Sequence, residues 1–286
     1  MSAHRAGPAA EFETGCGEVP VLMYHSIATG AARRFSRFVV DPGEFAAQMD
    51  HLRVRGYRAV TLADLIGSRS SGRPLPPRPV VLTFDDAYAD FYSAALPVLR
   101  EHDFRATLFV PTAYVGSKAR WNRSLGEENR RILSWPGLRD ITAEGVEVAA
   151  HSHTHPQLDR LPPAVIRDEV CRSRRLMEDN LAVQVEGFAY PFGYWNRAAR
   201  AAVAGAGFRY ACAVADLMVT PGDDVLTLPR LTVNAGIGVA GLARLLRARP
   251  VLRRRQAAAV KRVAWRAVRR RVPAVGGDPR EGRPGT

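Results

Sequence analysis

Two short stretches of this chain place metal-ligand side chains directly after apolar runs. The run Val80-Val81-Leu82 leads into Thr83-Phe84-Asp85-Asp86, which ends in two adjacent carboxylates. The apolar run 146–150 leads into His151-Ser152-His153-Thr154-His155, which has three imidazoles in five residues. Carboxylate and imidazole are ligands that Zn²⁺ accepts. Two His and one Asp would form a three-ligand site with one coordination position open, the arrangement typical of hydrolytic rather than structural zinc.

The rest of the chain repeats a short apolar run, a polar loop and an amphipathic segment. The candidate strands are Val19–Tyr24, Val80–Phe84, Ala106–Val110, Val146–Ala150, Val185–Tyr190, Tyr210–Val214 and Leu226–Val233. The candidate helices are Pro42–Arg55, Asp90–His102, Pro136–Glu144, Pro162–Asn180 and Asn196–Gly205, and 68–79 reads as a surface connection. Alternating strands and helices imply a parallel sheet, and seven strands predict a closed or nearly closed α/β barrel. Active sites of such barrels lie at the carboxyl ends of the strands.

The positive charge of the chain is concentrated near its C-terminus. The sequence has 41 Lys and Arg against 28 Asp and Glu, and residues 244–286 contain 14 of the basic residues and two of the acids. The preceding residues are therefore almost neutral. We predict a flexible lead over 1–18, a main domain over 19–240, a basic helical extension over 241–273 and a disordered tail over 274–286.

The start of the chain and its cysteines bear on where the protein works. Residues 1–18 contain no apolar run long enough for a secretory signal, and no stretch of about 18 apolar residues occurs anywhere. The three cysteines are widely spaced and form no CxxC pair, so neither a disulfide framework nor a thiolate metal site is indicated. We expect a cytoplasmic protein, with peripheral contact at the cytoplasmic membrane face as an option.

Residues 241–271 have three interpretations. The positions Val260, Val263, Ala264, Ala267 and Val268 follow helical spacing, with basic residues on the opposite face. Pro250 separates this segment from a shorter helix over 241–249. The helix could pack on the barrel, lie on an anionic membrane surface, or contact nucleic acid. No recognisable nucleic-acid module accompanies it, which argues against the third interpretation.

Each motif also has a structural interpretation. An Asp pair at a strand end often caps a turn, and a lone His is usually structural or solvated. Together the motifs favour metal binding, with one carboxylate on the metal and the other free to accept a proton. His153 could point elsewhere. The loop 188–193 reads as a packed turn, or as one that presents the Phe192 backbone N–H to an oxyanion.

In their order and spacing, these motifs resemble the polysaccharide deacetylase (NodB-homology) family, carbohydrate esterase family 4. The matching stretches are 83–86, 151–155 and the turn Tyr190-Pro191-Phe192-Gly193, together with 20–25 and 106–110, and the resemblance spans Val19 to Val233. It implies a distorted (β/α)7 barrel. It also implies an enzyme that removes the N-acetyl group from an acetylated amino sugar and releases acetate.

The resemblance implies a role for each motif residue. Asp86, His151 and His155 would hold a divalent metal, Zn²⁺ in the first instance and Co²⁺ as an alternative. Asp85 would be the general base that deprotonates the attacking water. The Phe192 backbone N–H would help to hold the tetrahedral oxyanion.

The sequence departs from the family pattern at two places. Ala189 stands where the family often has an Arg that pairs with the base, and the late Leu-x-His motif is replaced by Leu228-Pro229-Arg230-Leu231. We hypothesise that Arg230 pairs with Asp85 instead. The general acid stays open, with His25 as the first candidate and His153 as the second. The candidate substrate contacts are Tyr190, Pro191, Trp121 and Trp195.

Two other functions compete with N-deacetylation. The departures favour a non-catalytic or weakly active glycan-binding homologue within a polysaccharide biosynthesis complex. A metal-dependent hydrolase of another amide or ester is also open, because the fold alone does not determine the substrate. Metal content and acetate release separate these alternatives.

Overall fold

Short apolar segments form the ten strands of this fold. The computed structural model of the protein describes residues 17–247. The strands are β1 Val21–Tyr24, β2 Ser26–Ile27, β3 Val39–Val40, β4 Arg58–Val60, β5 Pro79–Phe84, β6 Thr107–Val110, β7 Glu147–Ala150, β8 Gly187–Ala189, β9 Tyr210–Cys212 and β10 Leu231–Thr232. Eight of them form one parallel sheet in the order β10-β1-β5-β6-β7-β8-β9, and β4 pairs with the first half of β5. The strands β2 and β3 form a separate pair.

The sheet curls into a barrel whose last seam is spanned by residues 226–232. The Leu228 N–H donates to Ala211 O (2.8 Å), and the Ala213 N–H donates to Leu228 O (2.8 Å), which attaches this segment to the end of β9. Two residues farther on, Leu231 pairs with Leu22 of β1. The predicted α/β barrel is therefore confirmed.

Alternation along the strands divides the buried residues into two clusters. One inward-facing residue from almost every strand belongs to the smaller cluster: Val21, Val60, Val81, Phe109, Ala149, Ala189, Cys212 and Leu228. The neighbouring strand residues, such as Leu22, Leu82 and Leu108, belong to the larger cluster under the helices. Since successive strand side chains point to opposite faces, we infer that the smaller cluster fills the barrel. Leu62, Leu65 and Ile66 of the second helix belong to it as well.

Within residues 17–247, seven helices surround the sheet, and most begin at a capping side chain. They are α1 Pro42–Val54, α2 Leu62–Ser71, α3 Leu96–Glu101, α4 Trp135–Ala143, α5 Pro163–Leu181, α6 Arg197–Gly205 and α7 Gly238–Arg247. The Asp41 carboxylate accepts from the Gly43 and Glu44 N–H groups at the start of α1, as expected for an N-cap. Thr61 and Asp64 form a capping box at α2.

Three sequence predictions about elements were wrong. Residues 68–71 are the last turn of α2 rather than part of a connection, and β4 was missed. The predicted helix Asp90–His102 begins as a π-turn over Phe91–Ala95, because Pro97 in the first turn of α3 has no N–H to continue a regular ladder. The predicted strand Leu226–Val233 is reduced to two residues after Pro229.

The end of the described chain is part of the main body. Helix α7 packs against α1 through Leu242 and Leu246, and the Gly236 and Gly238 N–H groups donate to the Glu44 carboxylate. The predicted boundary at 240/241 therefore falls inside a packed helix. Residues 1–16 and 248–286, which contain most of the predicted lead, extension and tail, lie outside the described residues. Within 17–247, no helix is both long and apolar enough to cross a membrane.

Candidate active site

The inward-facing side chains of three strand segments continue into one polar cluster at the carboxyl ends of the strands. Asp85 lies four residues beyond Val81, and His151 lies two beyond Ala149. Arg230 lies two residues beyond Leu228 on the segment that closes the barrel. Because the side-chain period of a strand is two, all three side chains point into the barrel mouth.

Three buried side chains in this mouth form a metal-ligand set. One ligand atom from each of Asp86, His151 and His155 lies within 4.8 Å of the others. Asp86 Oδ1 is 3.2 Å from His155 Nε2 and 3.6 Å from His151 Nε2. His153, the middle imidazole, is not part of this set, and its Nδ1 is 2.9 Å from the Thr112 hydroxyl instead.

The hydrogen bonding of His151 leaves one nitrogen available for a metal. His151 Nδ1 is 2.8 Å from Ala189 O, so we assign the ring proton to Nδ1. Burial lowers the pKa of His151 to about 4, although Asp85 opposes this shift. The imidazole is therefore neutral at neutral pH, and its Nε2 lone pair faces Asp86. A neutral His whose second nitrogen donates to a carbonyl is the usual form of a metal ligand.

The polar atoms of this cluster fit a bound cation. Asp86 Oδ1 and His155 Nδ1 are buried, and neither has a hydrogen-bond partner in the described structure. Burial alone would raise the pKa of Asp86, but His155, His25 and His151 bring it below its usual value, so the carboxylate is ionised. A buried anionic oxygen without a donor is costly unless a cation neutralises it. Two imidazoles and one carboxylate are a donor set that suits Zn²⁺.

Several residues of the cluster have a left-handed backbone, which is uncommon outside glycine. Asp86 has φ 75°, Ser152 φ 62°, His155 φ 57° and Phe192 φ 61°. Such conformations cost about 1–3 kcal/mol each and are typical of functional sites. Gly193 (φ 72°) follows Phe192, and a Cβ there would lie 2.5 Å from the Val214 side chain, so the turn at 190–193 depends on this glycine.

Asp85 lies beside the ligand set and is paired with a buried arginine. Arg230 Nη1 donates to Asp85 Oδ1 (2.6 Å) and Nη2 donates to Oδ2 (2.8 Å), in a bidentate pair. The guanidinium is 0% exposed and also donates to Ala213 O and the Thr83 hydroxyl. Burial raises the pKa of Asp85, but Arg230, His151 and His25 lower it below its ordinary value. The structure therefore places Arg230 where the hypothesis from the sequence required it.

Tyr88 and Asn122, which the motifs did not predict as ligand supports, hold Asp86 in place. The Tyr88 hydroxyl donates to Asp86 Oδ2 (2.8 Å), and Asn122 Nδ2 donates to the Tyr88 oxygen (2.7 Å). Tyr88 lies two residues beyond Asp86, but Asn122 comes from the distant loop after β6. This hydrogen-bond chain fixes the carboxylate so that Oδ1 faces the two imidazoles.

Tyr88→Phe removes only the hydroxyl of this chain. We expect metal affinity to fall about 10- to 100-fold, which is typical for the loss of a partner to a metal ligand. Competition with a zinc chelator measures the change. Tyr92→Phe is the matched control, since Tyr92 is 40% exposed. Equal zinc affinity in the two variants would show that the Tyr88 hydroxyl does not support the ligand.

Glu169 of α5 organises the loop that carries the histidines. Its carboxylate accepts from the His153 N–H (2.9 Å), the Thr154 N–H (2.8 Å) and the Thr154 hydroxyl (2.7 Å). The side chain is buried, and burial raises its pKa. Sequence analysis missed Glu169, although it occupies the apolar stripe of α5 between Ile166 and Val170. A carboxylate in such a stripe is a signal of a buried polar contact.

The turn at 190–193 brings Phe192 beside the ligand set. The Phe192 ring is 4.8 Å from the His155 ring and 6.2 Å from the Tyr194 ring. Pro191 is buried, while Tyr190 is fully buried and its hydroxyl donates to Leu226 O. The predicted substrate contact of the Tyr190 side chain is therefore corrected to a packing role.

The other predicted substrate contacts and the candidate general acid differ in how exposed they are. The buried Trp121 ring is 4.9 Å from His155, and Trp195 is partly exposed. His25 is partly exposed, and its ring lies 4.8 Å from Phe38. Burial lowers the pKa of His25, while the nearby charges of Asp85 and Asp86 raise it. These charges show that His25 faces the same mouth.

Comparison with known proteins agrees with this arrangement. The polysaccharide deacetylase family model matches residues 72–211, which include Asp85, Asp86 and both ligand histidines. Over these residues the chain has the sequence of a polysaccharide deacetylase domain. Arg230 lies outside the matched segment. The sequence resemblance is thereby confirmed.

Individual relatives match beyond the motifs. The YxkH protein of Bacillus subtilis is 26% identical over 220 residues, which are 77% of this chain and 73% of that protein. The poly-β-1,6-N-acetyl-D-glucosamine N-deacetylase of Staphylococcus aureus is 22% identical over 213 residues, 71% of each chain. The structure of IcaB from Ammonifex degensii covers 81% of this chain and 98% of its own, with a TM-score of 0.70 and 24% identity, so it shares the fold.

Proposed function

We propose that this protein is a metal-dependent hydrolase that removes N-acetyl groups from an acetylated amino-sugar polymer and releases acetate. One observation supports the proposal above all others. Asp86, His151 and His155 converge on one point at the barrel mouth, and Asp85 lies beside them as an ionised, unligated carboxylate held by Arg230. Ligand set and base are the two parts that hydrolysis of an amide at a metal requires.

The residues divide the chemistry between them. When bound by Asp86, His151 and His155, Zn²⁺ or Co²⁺ supplies Lewis acidity that polarises the acetyl carbonyl and acidifies water. Asp85 accepts the proton of the attacking water at a carboxylate oxygen. The Phe192 backbone N–H donates to the oxygen that becomes negative as the carbonyl carbon turns tetrahedral. His25 protonates the amine as it leaves.

The relatives support the class of substrate. The S. aureus relative is named for a polymer of N-acetyl-D-glucosamine, and we propose a glycan that contains this type of N-acetylated sugar for the present chain. Peripheral membrane contact through residues 241–271 and a cytoplasmic location stay predictions. The main part of that segment, 248–271, lies outside the described residues.

The test is acetate release from N-acetylglucosamine oligomers by protein that has been stripped of metal and then given Zn²⁺ or Co²⁺. We expect release only after metal addition, with about one metal bound per chain. Metal binding without release, combined with turnover of another amide or ester, would identify a different hydrolase. Neither metal binding nor release would contradict the proposal and favour a glycan-binding homologue.

A further inference from the structure

Two loops at the mouth of the barrel carry an excess of basic side chains. They are residues 28–38, after β2, and residues 117–131, after β6, and we call them the basic rim. The rim contains eight Lys and Arg and two Asp and Glu. The whole of 17–247 contains 28 basic and 24 acidic residues, so the remainder holds 20 and 22. The net positive charge of the described body therefore resides in the rim.

Most rim cations are exposed and have no carboxylate partner among the described residues. Only Arg130 is paired, with Asp90 (3.3 Å) and Glu127 (3.3 Å). The exposed, unpaired ones are Arg33, Arg34, Arg37, Lys118, Arg120, Arg123 and Arg131. Elsewhere on the body, some exposed arginines such as Arg105 and Arg209 form ion pairs with carboxylates, while others such as Arg53 and Arg55 do not. The rim differs from the rest of the body in that its unpaired cations are grouped on two adjoining loops at the mouth.

The two loops are joined to each other and to the candidate active site. Arg34 Nη1 donates to Ser124 O (3.4 Å), and the Ala32 N–H donates to the Glu127 carboxylate (2.6 Å). Trp121, whose ring is 4.9 Å from His155, lies between Arg120 and Arg123 in the chain.

The loop 28–38 reaches the mouth through Phe38. Arg37 lies over the Phe38 ring (4.5 Å), and that ring in turn lies 4.8 Å from His25. Arg120 is adjacent in sequence to Trp121, and Arg37 is adjacent to Phe38. Neighbouring Cα atoms are about 3.8 Å apart, so the backbone of each arginine lies close to a side chain at the mouth. A glycan that extends from the mouth over these loops would pass close to these cations.

The charge of the rim discriminates between kinds of glycan. A neutral N-acetylated polymer gains nothing from a cationic rim. Each deacetylation also exposes an amine that is protonated at neutral pH, and the rim would repel the product as it became more cationic. Negative groups on the glycan would reverse both effects, because opposite charge attracts the substrate and offsets the new amines.

We infer that the basic rim recognises carboxylate or phosphate groups on the glycan, so that the substrate is an anionic polymer containing N-acetylated sugars. This inference rests on the proposed deacetylase function for its catalytic consequence. The binding of an anionic glycan can be measured independently of acetate release.

The test variant removes three rim cations whose side chains make no described contact. It is Arg33→Gln/Arg120→Gln/Arg123→Gln. The matched control is Arg53→Gln/Arg55→Gln/Arg58→Gln, three exposed arginines at the end of α1 and the start of β4, towards the amino ends of the strands and away from the mouth. Both variants lose three positive charges and keep the same basic tail, so they differ only in where the charge is lost.

The probes are three oligomers of equal length: N-acetylglucosamine alone, N-acetylglucosamine alternating with glucuronic acid, and N-acetylglucosamine 1-phosphate repeats. We expect the wild type to bind one or both anionic oligomers more tightly than the neutral one at low salt. In the rim variant, Kd for the anionic oligomer rises about tenfold, and 1 M NaCl removes the difference because the Debye length falls to about 3 Å. The control variant keeps the wild-type Kd. Comparison of the glucuronic acid oligomer with the phosphate oligomer shows whether the rim prefers carboxylate or phosphate groups.

Equal affinity for neutral and anionic oligomers, or a rim variant with unchanged Kd, would overturn the inference even if acetate is released. Absence of acetate release from every oligomer would contradict the proposed function but leave the binding result intact. A further experiment measures co-sedimentation of the wild type and both variants with phosphatidylglycerol vesicles. Rim-dependent vesicle binding with no rim effect on glycan Kd would assign the rim to a membrane surface and reject the glycan.

Discussion

Asp85→Asn is expected to lower turnover about 100- to 10,000-fold while bound metal stays at the wild-type level. The range is typical for removal of a general base. Asp85 is separate from the ligand set, and its Oδ2 is 3.9 Å from His151 Nε2. An amide keeps the shape of the carboxylate but cannot accept the proton at neutral pH. In this variant, turnover should therefore fall while the metal content stays unchanged.

The measurement is acetate release under saturating metal, together with the metal-to-protein ratio of the same sample. His155→Gln is the comparison, because loss of a ligand should lower both quantities together. If Asp85→Asn lost metal in parallel with activity, Asp85 would be a ligand rather than the base. If it kept full turnover, another group would have to take the proton.

The strand ends that carry the chemistry could be predicted from sequence because the relevant signals are local. Asp85 and His151 each follow an apolar run, and a parallel sheet brings the carboxyl ends of its strands to one side. Because carboxylate and imidazole side chains are metal ligands, their presence at the strand ends then predicts a metal site. None of these steps needs a contact between residues that are distant in the chain.

The supports of the site depend on contacts that a single sequence does not display. Asn122 reaches Tyr88 across 34 positions, and Glu169 holds a loop 15 positions before it. β4 is only three residues long and is defined by its pairing with β5. Burial of the Tyr190 side chain likewise follows from packing in the larger cluster under the helices. The local pattern of an aromatic turn predicted a ligand-facing role instead.

Arg230 is an intermediate case. The departures from the family motifs suggested it as a cation at the last strand, but its partner Asp85 is 145 positions earlier. The pair forms because the segment 226–232 closes the barrel between β9 and β1. Arg230, which directly precedes β10, thus makes the pair with Asp85 that the family resemblance assigns to an arginine at position 189. At position 189 itself, the backbone carbonyl of Ala189 accepts from His151 Nδ1.

Arg230→Gln is expected to destabilise the fold by about 3–5 kcal/mol, because it leaves the Asp85 carboxylate buried without its cation. It should also change the pH profile of any activity that is retained. Arg230 lowers the pKa of Asp85 while burial raises it. Without the guanidinium, the pKa of Asp85 rises, the base is protonated at higher pH, and the acid limb of kcat/KM moves to higher pH.

The double variant Asp85→Asn/Arg230→Gln separates the structural role of Arg230 from its effect on the base. Each single variant leaves one buried charge unpaired, whereas the double variant leaves none, so its stability should exceed that of either single variant. Its turnover should stay as low as that of Asp85→Asn. Chemical denaturation of the metal-loaded proteins measures the stabilities. If the losses simply added, the two side chains would act independently, and Arg230 could not be the group that keeps Asp85 ionised.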